Sequence, residues 1–385
     1  MGVATAAVGS NSVSEFRPGL EGVVAAETKL SHVDGQKGEL IIAGYDVEEI
    51  APNATFEEAA YLLWHGERAD ASQLRDFTRE LAGLRAIPSA TLELLAAVAA
   101  QKKPTMDALR IAAGTLDLDM QTEDQETVSK ALLARMPTVV AAYWRLRHGQ
   151  ERIEPRTDLG HSANYLYMLS GKEADAAAVR GMETYLNTII DHGLNASTFA
   201  ARVIIATQSD IVSALVGAIG ALKGPLHGGA PGPALEMVFE IGTSQAAEPY
   251  LRAKLERGER LMGFGHRVYK VRDPRAEVLG KAADAMFAEG ERRKLYELAK
   301  FVEQKSLQLL AEFKPGRNLQ TNVEFYTALL LHGLGLETEL FTPTFAIGRS
   351  AGWIAHCREQ LATGRIIRPQ SRYVGPHFLQ WEVTK

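Results

Sequence analysis

The sequence predicts an almost entirely α-helical protein. Through much of the chain, apolar residues recur at steps of three and four. The segments between these runs are short and carry Gly, Pro, Asn or Asp. Strand signals are few, and nothing shows the strand–helix alternation of a doubly wound sheet.

Taken in order, the first fourteen residues are small and polar, with no basic residue before Arg17 and no apolar run. They predict a frayed tail over residues 1–16 rather than a signal or transit peptide. Residues 29–33 and 39–43, joined through Asp34-Gly35, predict one small hairpin. Thr55-Phe56-Glu57-Glu58 has the form of a capping box and leads into an amphipathic run. Ser72 is expected to open the next helix, with Leu74, Phe77, Leu81 and Leu84 on one face. Residues 90–100, 106–116, 129–147 and 177–190 continue in the same way. Near Gly220 the texture changes. Gly and Pro crowd residues 224–233, and further breaks come at Gly263-Phe264-Gly265-His266 and Lys314-Pro315-Gly316. A last helix follows Phe341-Thr342-Pro343 to about Ala362, then an extended tail.

The 385 residues are 46% hydrophobic and 23% charged, which allows one large domain or two. A net charge of -5 gives no basic excess to attract nucleic acid or an anionic membrane. No stretch has the apolar length of a bilayer span. The single cysteine, Cys357, rules out an intrachain disulfide and fits a reducing compartment, so a cytoplasmic location is expected.

Chemistry is sought at the breaks, because functional residues concentrate on loops held by rigid elements. His227 lies in Gly-Pro-Leu-His-Gly-Gly-Ala, before a helix expected to start near Ala234. Amides at that helix start would favour a neutral imidazole, although for the residue taken alone a histidine that merely caps a turn is the plainer reading. His266 is followed within nine positions by Arg267, Lys270, Arg272 and Arg275. Such cations suit phosphate or carboxylate recognition, or form a solvated basic loop. Glu324 sits among apolar neighbours, which fits either a base of raised pKa or an ordinary acid at a helix start. Taken alone, His192, Arg349 and Arg368 are polar residues of no evident role.

Gly348-Arg349-Ser350-Ala351-Gly352 matches the G-x-S-x-G hydrolase elbow. That motif needs a preceding strand and a following acid and His in an α/β sheet. No Asp follows Ser350 and the chain lacks the alternation, so the match reads as coincidence. No phosphate-binding glycine motif stands at a strand–helix junction, and the ten histidines show no zinc spacing, so no metal is expected.

Together and in this order, the motifs resemble the citrate synthase family. The likeness runs from about Gly19 to Pro376, through Asp191-His192-Gly193-Leu194-Asn195-Ala196-Ser197, Gly224-Pro225-Leu226-His227-Gly228-Gly229-Ala230, Gly263-Phe264-Gly265-His266-Arg267-Val268-Tyr269-Lys270, Asn322-Val323-Glu324-Phe325-Tyr326 and Arg368-Pro369. The resemblance implies a two-domain all-α fold. The large domain would comprise 17–221 and 332–385, and the small mobile domain 222–331. It implies condensation of acetyl-CoA with oxaloacetate, with propionyl-CoA as the substrate of the related 2-methylcitrate synthases. A non-catalytic metabolite-binding relative is the third reading. Glu324 would be the base, His227 would hydrogen-bond the thioester carbonyl, and His266 would polarise the ketone. His192, Arg275, Arg349 and Arg368 would hold the two carboxylates, with Arg368 reaching across a homodimer. Met262, Gly263, Phe264, Gly265, Arg267 and Lys270 would meet coenzyme A, and no cofactor is implied. With about sixteen residues ahead of the pattern, the N-terminal β-rich segment of the NADH-regulated relatives is not expected. The chain departs from the family at Glu324, where Asp is usual, at Pro231-Gly232, where many relatives carry Asn-Glu, and at Gly193, where Glu is common.

Overall fold

The computed structural model describes residues 16–121, 124–228, 231–266, 268–287 and 290–381. The expected tail, except Phe16, lies outside them, as do Gly229, Ala230 and Arg267. Among the described residues a small sheet is followed by sixteen α-helices. The sheet has β1 (Ser31–Asp34), β2 (Glu39–Ile42) and β3 (Tyr45–Asp46), antiparallel in that order. The helices of the first half are α1 (Val47–Asn53), α2 (Phe56–His65), α3 (Ala71–Gly83), α4 (Ser89–Ala100), α5 (Thr105–Ala113), α6 (Gln125–Arg147), α7 (His161–Ser170) and α8 (Ala176–Thr188). Then come α9 (Ala196–Ile205), α10 (Ile211–Leu222), α11 (Pro231–Ile241), α12 (Ser244–Glu256), α13 (Pro274–Met286), α14 (Gly290–Phe313), α15 (Val323–Gly333) and α16 (Phe341–Thr363). No helix among the described residues is long and apolar enough to cross a membrane.

The expected hairpin and capping box are present. Ser31 pairs with Ile42 and Val33 with Leu40, and alternation buries Leu40 and Ile42. The Thr55 hydroxyl accepts the Glu58 amide while the Glu58 carboxylate accepts the Thr55 amide, so two otherwise orphaned donors are satisfied. Several boundaries move to where capping chemistry is better. The third helix is capped by Asp70, which forms a second capping box with Gln73, so it opens before Ser72. The helix expected from Ser129 starts a turn earlier, where Asp124 accepts the Thr127 amide. The third strand is too short to leave a signal in the sequence.

Helix α16 is the centre of the fold, packing on α2, α6, α8, α9 and α10. Its residues from Ala346 to Cys357 are buried, Trp353 among them, because neighbours cover it on every side. Ser350 is in the middle of it, fully buried and donating to the Ile347 carbonyl, so the elbow reading is excluded. Helices α11 to α15 pack on one another, and α13 and α15 also touch α8.

One buried acid makes stability pH-dependent. Glu183 on α8 is buried, and burial pushes its pKa up to about 7 despite Arg180, 3.0 Å away. The folded chain therefore binds this proton more tightly than the unfolded one. The resulting stability is complete below the ordinary pKa near 4.5 and is lost as pH rises through 7. Glu183→Gln, which mimics the neutral acid, is expected to raise Tm at pH 8 and leave it nearly unchanged at pH 4.5. Thermal melts of both proteins at the two pH values check this.

Candidate active site

His227 lies in the turn after α10, where its amide bonds the Gly224 carbonyl at 2.9 Å. Its Nε2 accepts the Ser197 amide at 3.3 Å and lies 2.8 Å from the Ser197 hydroxyl. Because Nε2 accepts that amide, the neutral ring carries its proton on Nδ1. Burial, reinforced by Arg349, pushes the pKa down to about 4. The following helix begins at Pro231, not near Ala234, since proline suits a first helical position. The amide that meets the imidazole instead comes from α9, thirty residues upstream. Asn195 caps α9 with its side-chain oxygen, which lies 2.8 Å from Ser197 Oγ, and that Oγ accepts the Trp353 indole N–H at 3.1 Å.

His266 has the opposite tautomer. Its Nδ1 accepts the amides of Val268 and Tyr269 at 3.1 and 3.2 Å, so the proton is on Nε2; Arg275 Nη2, itself only a donor, stands 3.3 Å from that atom as a neighbouring charge and not as its hydrogen-bond partner. Burial and the Arg275 guanidinium push this pKa down to about 4 as well. The loop before it needs Gly263, which has φ +85° and where a Cβ would lie 2.9 Å from the Phe325 side chain. That close approach lets the loop zip onto the segment before α15. The Asn322 amide bonds the Gly263 carbonyl at 3.0 Å, the Gly265 amide bonds Gln320, and the Asn322 side chain donates to Gly265.

Asn322 also caps α15 by accepting the Glu324 amide at 3.0 Å, which places Glu324 in the first turn, half-buried. Burial raises its pKa; Arg275 opposes this and Asp273 reinforces it. Arg275, at the start of α13, is buried and grips Asp273 through Nε and Nη2 at 3.0 and 2.8 Å. Asp273 also accepts the Val323 amide at 3.2 Å.

His192 follows α8, with Nε2 3.1 Å from the Tyr269 hydroxyl and its ring 6.1 Å from that of His266. Burial, then Arg275 and Arg349, hold its pKa well below the usual value. Arg349 is buried in mid-α16, its Nε donating to the Ile189 carbonyl at 2.6 Å. Gly352, one turn on, lets α16 lie against the Ile190 carbonyl, which a Cβ would strike. Burial lowers the Arg349 pKa to about 10.

His192, His227, His266, Arg275, Glu324 and Arg349 thus form one electrostatically coupled group. Arg368 does not join it; it is exposed on the extended arm after α16. Met262 and Phe264 lie on the His266 loop, where Phe264 bridges Thr321 and packs on Phe325. Lys270 is exposed and its amide bonds the Gly35 carbonyl. Reasoning from sequence passed over Ser197, Tyr269, Asp273 and Asn322, although each stands inside or beside a quoted motif. It also missed Glu303 on α14, which accepts from Thr321 and Tyr326 and so braces the Glu324 segment. Among the described residues no cluster of His, Cys, Asp and Glu could hold a metal ion.

Chemically, the group offers three neutral imidazoles with N–H donors, a carboxylate of raised basicity, and two buried guanidiniums. That set suits proton abstraction beside a polarised carbonyl on a substrate bearing carboxylates.

The family model "Citrate synthase, C-terminal domain" matches residues 19–370. The chain is 40% identical to a citrate synthase of Haloferax volcanii, over 95% of this chain and 98% of that one. It is 38% identical to a 2-methylcitrate synthase of Shewanella oneidensis, over 93% and 94%. Among solved structures it resembles the complex of Thermoplasma acidophilum citrate synthase with carboxymethyl coenzyme A and oxaloacetate, with a TM-score of 0.85 and 29% identity, covering 95% of this chain and 98% of that one.

Removing Asp273 would leave the Arg275 charge buried without its partner. Asp273→Ala is expected to cost about 3–5 kcal/mol of stability, read as a lower urea midpoint.

Proposed function

The chain belongs to the citrate synthase family, and we propose that it condenses acetyl-CoA with oxaloacetate at the group around Arg275, then hydrolyses the thioester to citrate and coenzyme A. The observation that supports the assignment of roles is the pairing of two histidines that accept backbone amides at opposite ring positions, Nε2 in His227 and Nδ1 in His266, with a half-buried carboxyl group of raised pKa.

In this reading oxaloacetate binds first, its carboxylates between His192, Arg275 and Arg349. Glu324 then takes a proton from the acetyl methyl group. The electron pair moves toward the thioester oxygen, where the Nδ1–H of His227 meets the developing negative charge. The enol carbon attacks the oxaloacetate ketone carbon, and the ketone oxygen receives the proton of His266 Nε2. Water then cleaves the citryl thioester, releasing the thiol. A neutral imidazole suits both oxygens because its N–H is a weak acid, whose proton affinity lies nearer that of an enolate or alkoxide than an imidazolium's does. The bound dianion raises the pKa of the surrounding histidines, which supports proton return.

Residues 222–331 would act as a small domain that closes on oxaloacetate and excludes water from the enol. Its backbone around Met262, Gly263, Phe264 and Gly265, with Arg267 and Lys270, would receive coenzyme A. A homodimer is part of the proposal. The arm after α16 exposes Ile366, Tyr373, Val374, Phe378, Leu379 and Trp381, an apolar surface that a second copy would cover. Arg368 on that arm would complete the partner's site.

The direct test is oxaloacetate-dependent thiol release, with acetyl-CoA and propionyl-CoA compared. Faster release with acetyl-CoA is expected; faster release with propionyl-CoA would make the enzyme a 2-methylcitrate synthase. His266→Ala or Glu324→Ala should lower turnover by roughly 10²–10⁴-fold with the fold intact. Mixing Arg368→Ala with Glu324→Ala subunits should restore part of the activity, because one site of each heterodimer is then unaltered. Since Glu324 must be ionised to act, kcat/KM should fall on the acid side through a midpoint above 4.5. A steady kcat/KM down to pH 4.5 would remove Glu324 from the role.

A further inference from the structure

The hairpin touches both halves of the oxaloacetate site, and this role is additional to the assignments above. At one end, the Ser31 hydroxyl donates to Asp191 Oδ2 at 2.5 Å and accepts the Gly193 amide at 2.8 Å. These are the two neighbours of His192. Asp191 is fully buried and held from behind by His356 Nε2 at 3.2 Å, so Ser31 fastens the loop to a fixed point.

At the other end, the Gly35 carbonyl accepts the Lys270 amide at 2.8 Å. A Cβ at position 35 would overlap the Val268 carbonyl, and one at Gly38 would lie 2.8 Å from Val271 Cγ2. Val268 and Tyr269 supply the amides that fix the tautomer of His266. The tip therefore presses on the backbone that orients that imidazole. Between its ends the hairpin is anchored. Asp34 Oδ1 gathers the amides of Gln36 and Lys37 to shape the turn, and Leu40 and Ile42 are buried in the core. Four residues of strand set a distance of about 10 Å. The Tyr269 hydroxyl to His192 contact closes the circuit.

We propose that the β1–β2 hairpin is a strut that positions the oxaloacetate site, with Ser31 holding the His192 loop and the Gly35 carbonyl holding the His266 loop. Neither residue touches substrate; both act through the histidines they position. This rests on the reading that oxaloacetate lies between His192 and Arg275.

The test uses the full-length enzyme with Gly35→Ala, Ser31→Ala and Ser31→Thr. Each is compared with the parent for KM of oxaloacetate, KM of acetyl-CoA at saturating oxaloacetate, kcat and Tm. Gly35→Ala and Ser31→Ala should each raise the oxaloacetate KM by about tenfold or more, as a displacement on the order of 1 Å would. The acetyl-CoA KM should change little, and Ser31→Thr, which keeps the hydroxyl, should restore the oxaloacetate KM. An unchanged oxaloacetate KM in the alanine variants, or a loss of Tm and kcat without a KM effect, overturns the strut. If Gly35→Ala does not fold, the Ser31→Ala and Ser31→Thr pair decides alone. A His192→Ala variant with unchanged oxaloacetate KM would instead show that the substrate placement is at fault.

Discussion

The buried ion pair between Asp273 and Arg275 is the contact on which the site depends. Asp273 caps the start of α13, grips the Arg275 guanidinium with both oxygens, and accepts the amide that opens α15. Arg275 in turn lies 3.3 Å from His266 Nε2 and over the Tyr269 ring. One carboxylate thus fixes a candidate carboxylate-binding group, the helix that carries Glu324, and the surroundings of His266. A charge buried this deeply is tolerated because it is paired with Asp273 through two hydrogen bonds. The pair keeps a guanidinium in place without cancelling its field, which still reaches His192 and Glu324.

The same desolvation acts in opposite directions on the two kinds of group. It strips charge from His192, His227 and His266 and makes Glu324 harder to ionise. The result is a dry set of donors beside a base of raised proton affinity, which is what enol chemistry near neutral pH requires. The tautomers are set by backbone amides rather than by ionised partners. Ser197 at the start of α9 directs His227, and the Val268 and Tyr269 amides direct His266. Main-chain donors of this kind do not titrate, so the arrangement is insensitive to pH until the imidazoles themselves protonate.

Much of the fold was legible because its causes are local. The capping box at Thr55 and Glu58, the hairpin and the long apolar helices follow from spacing alone. Boundaries slipped where two capping residues competed, as at Asp70 and Ser72. The site was legible only as an ordered set of motifs. Read singly, Glu324 was an acid at a helix start and His227 a turn histidine, because nothing near them in sequence raises a pKa or fixes a tautomer. Those effects come from Ser197, Arg349 and Asp273, brought in by tertiary packing. Arg368 is the opposite case. Its motif is plain in the sequence, yet it stands apart from the cluster within one chain, as a residue serving a second copy would.

The central claim is that two uncharged histidines of opposite tautomer face the reacting oxygens, and nitrogen-15 NMR of ring-labelled histidine tests it most directly. Signals assigned by His227→Gln and His266→Gln should show both rings neutral at pH 6, with the proton on Nδ1 of His227 and on Nε2 of His266. A charged ring at that pH, or the same tautomer at both positions, would contradict the account.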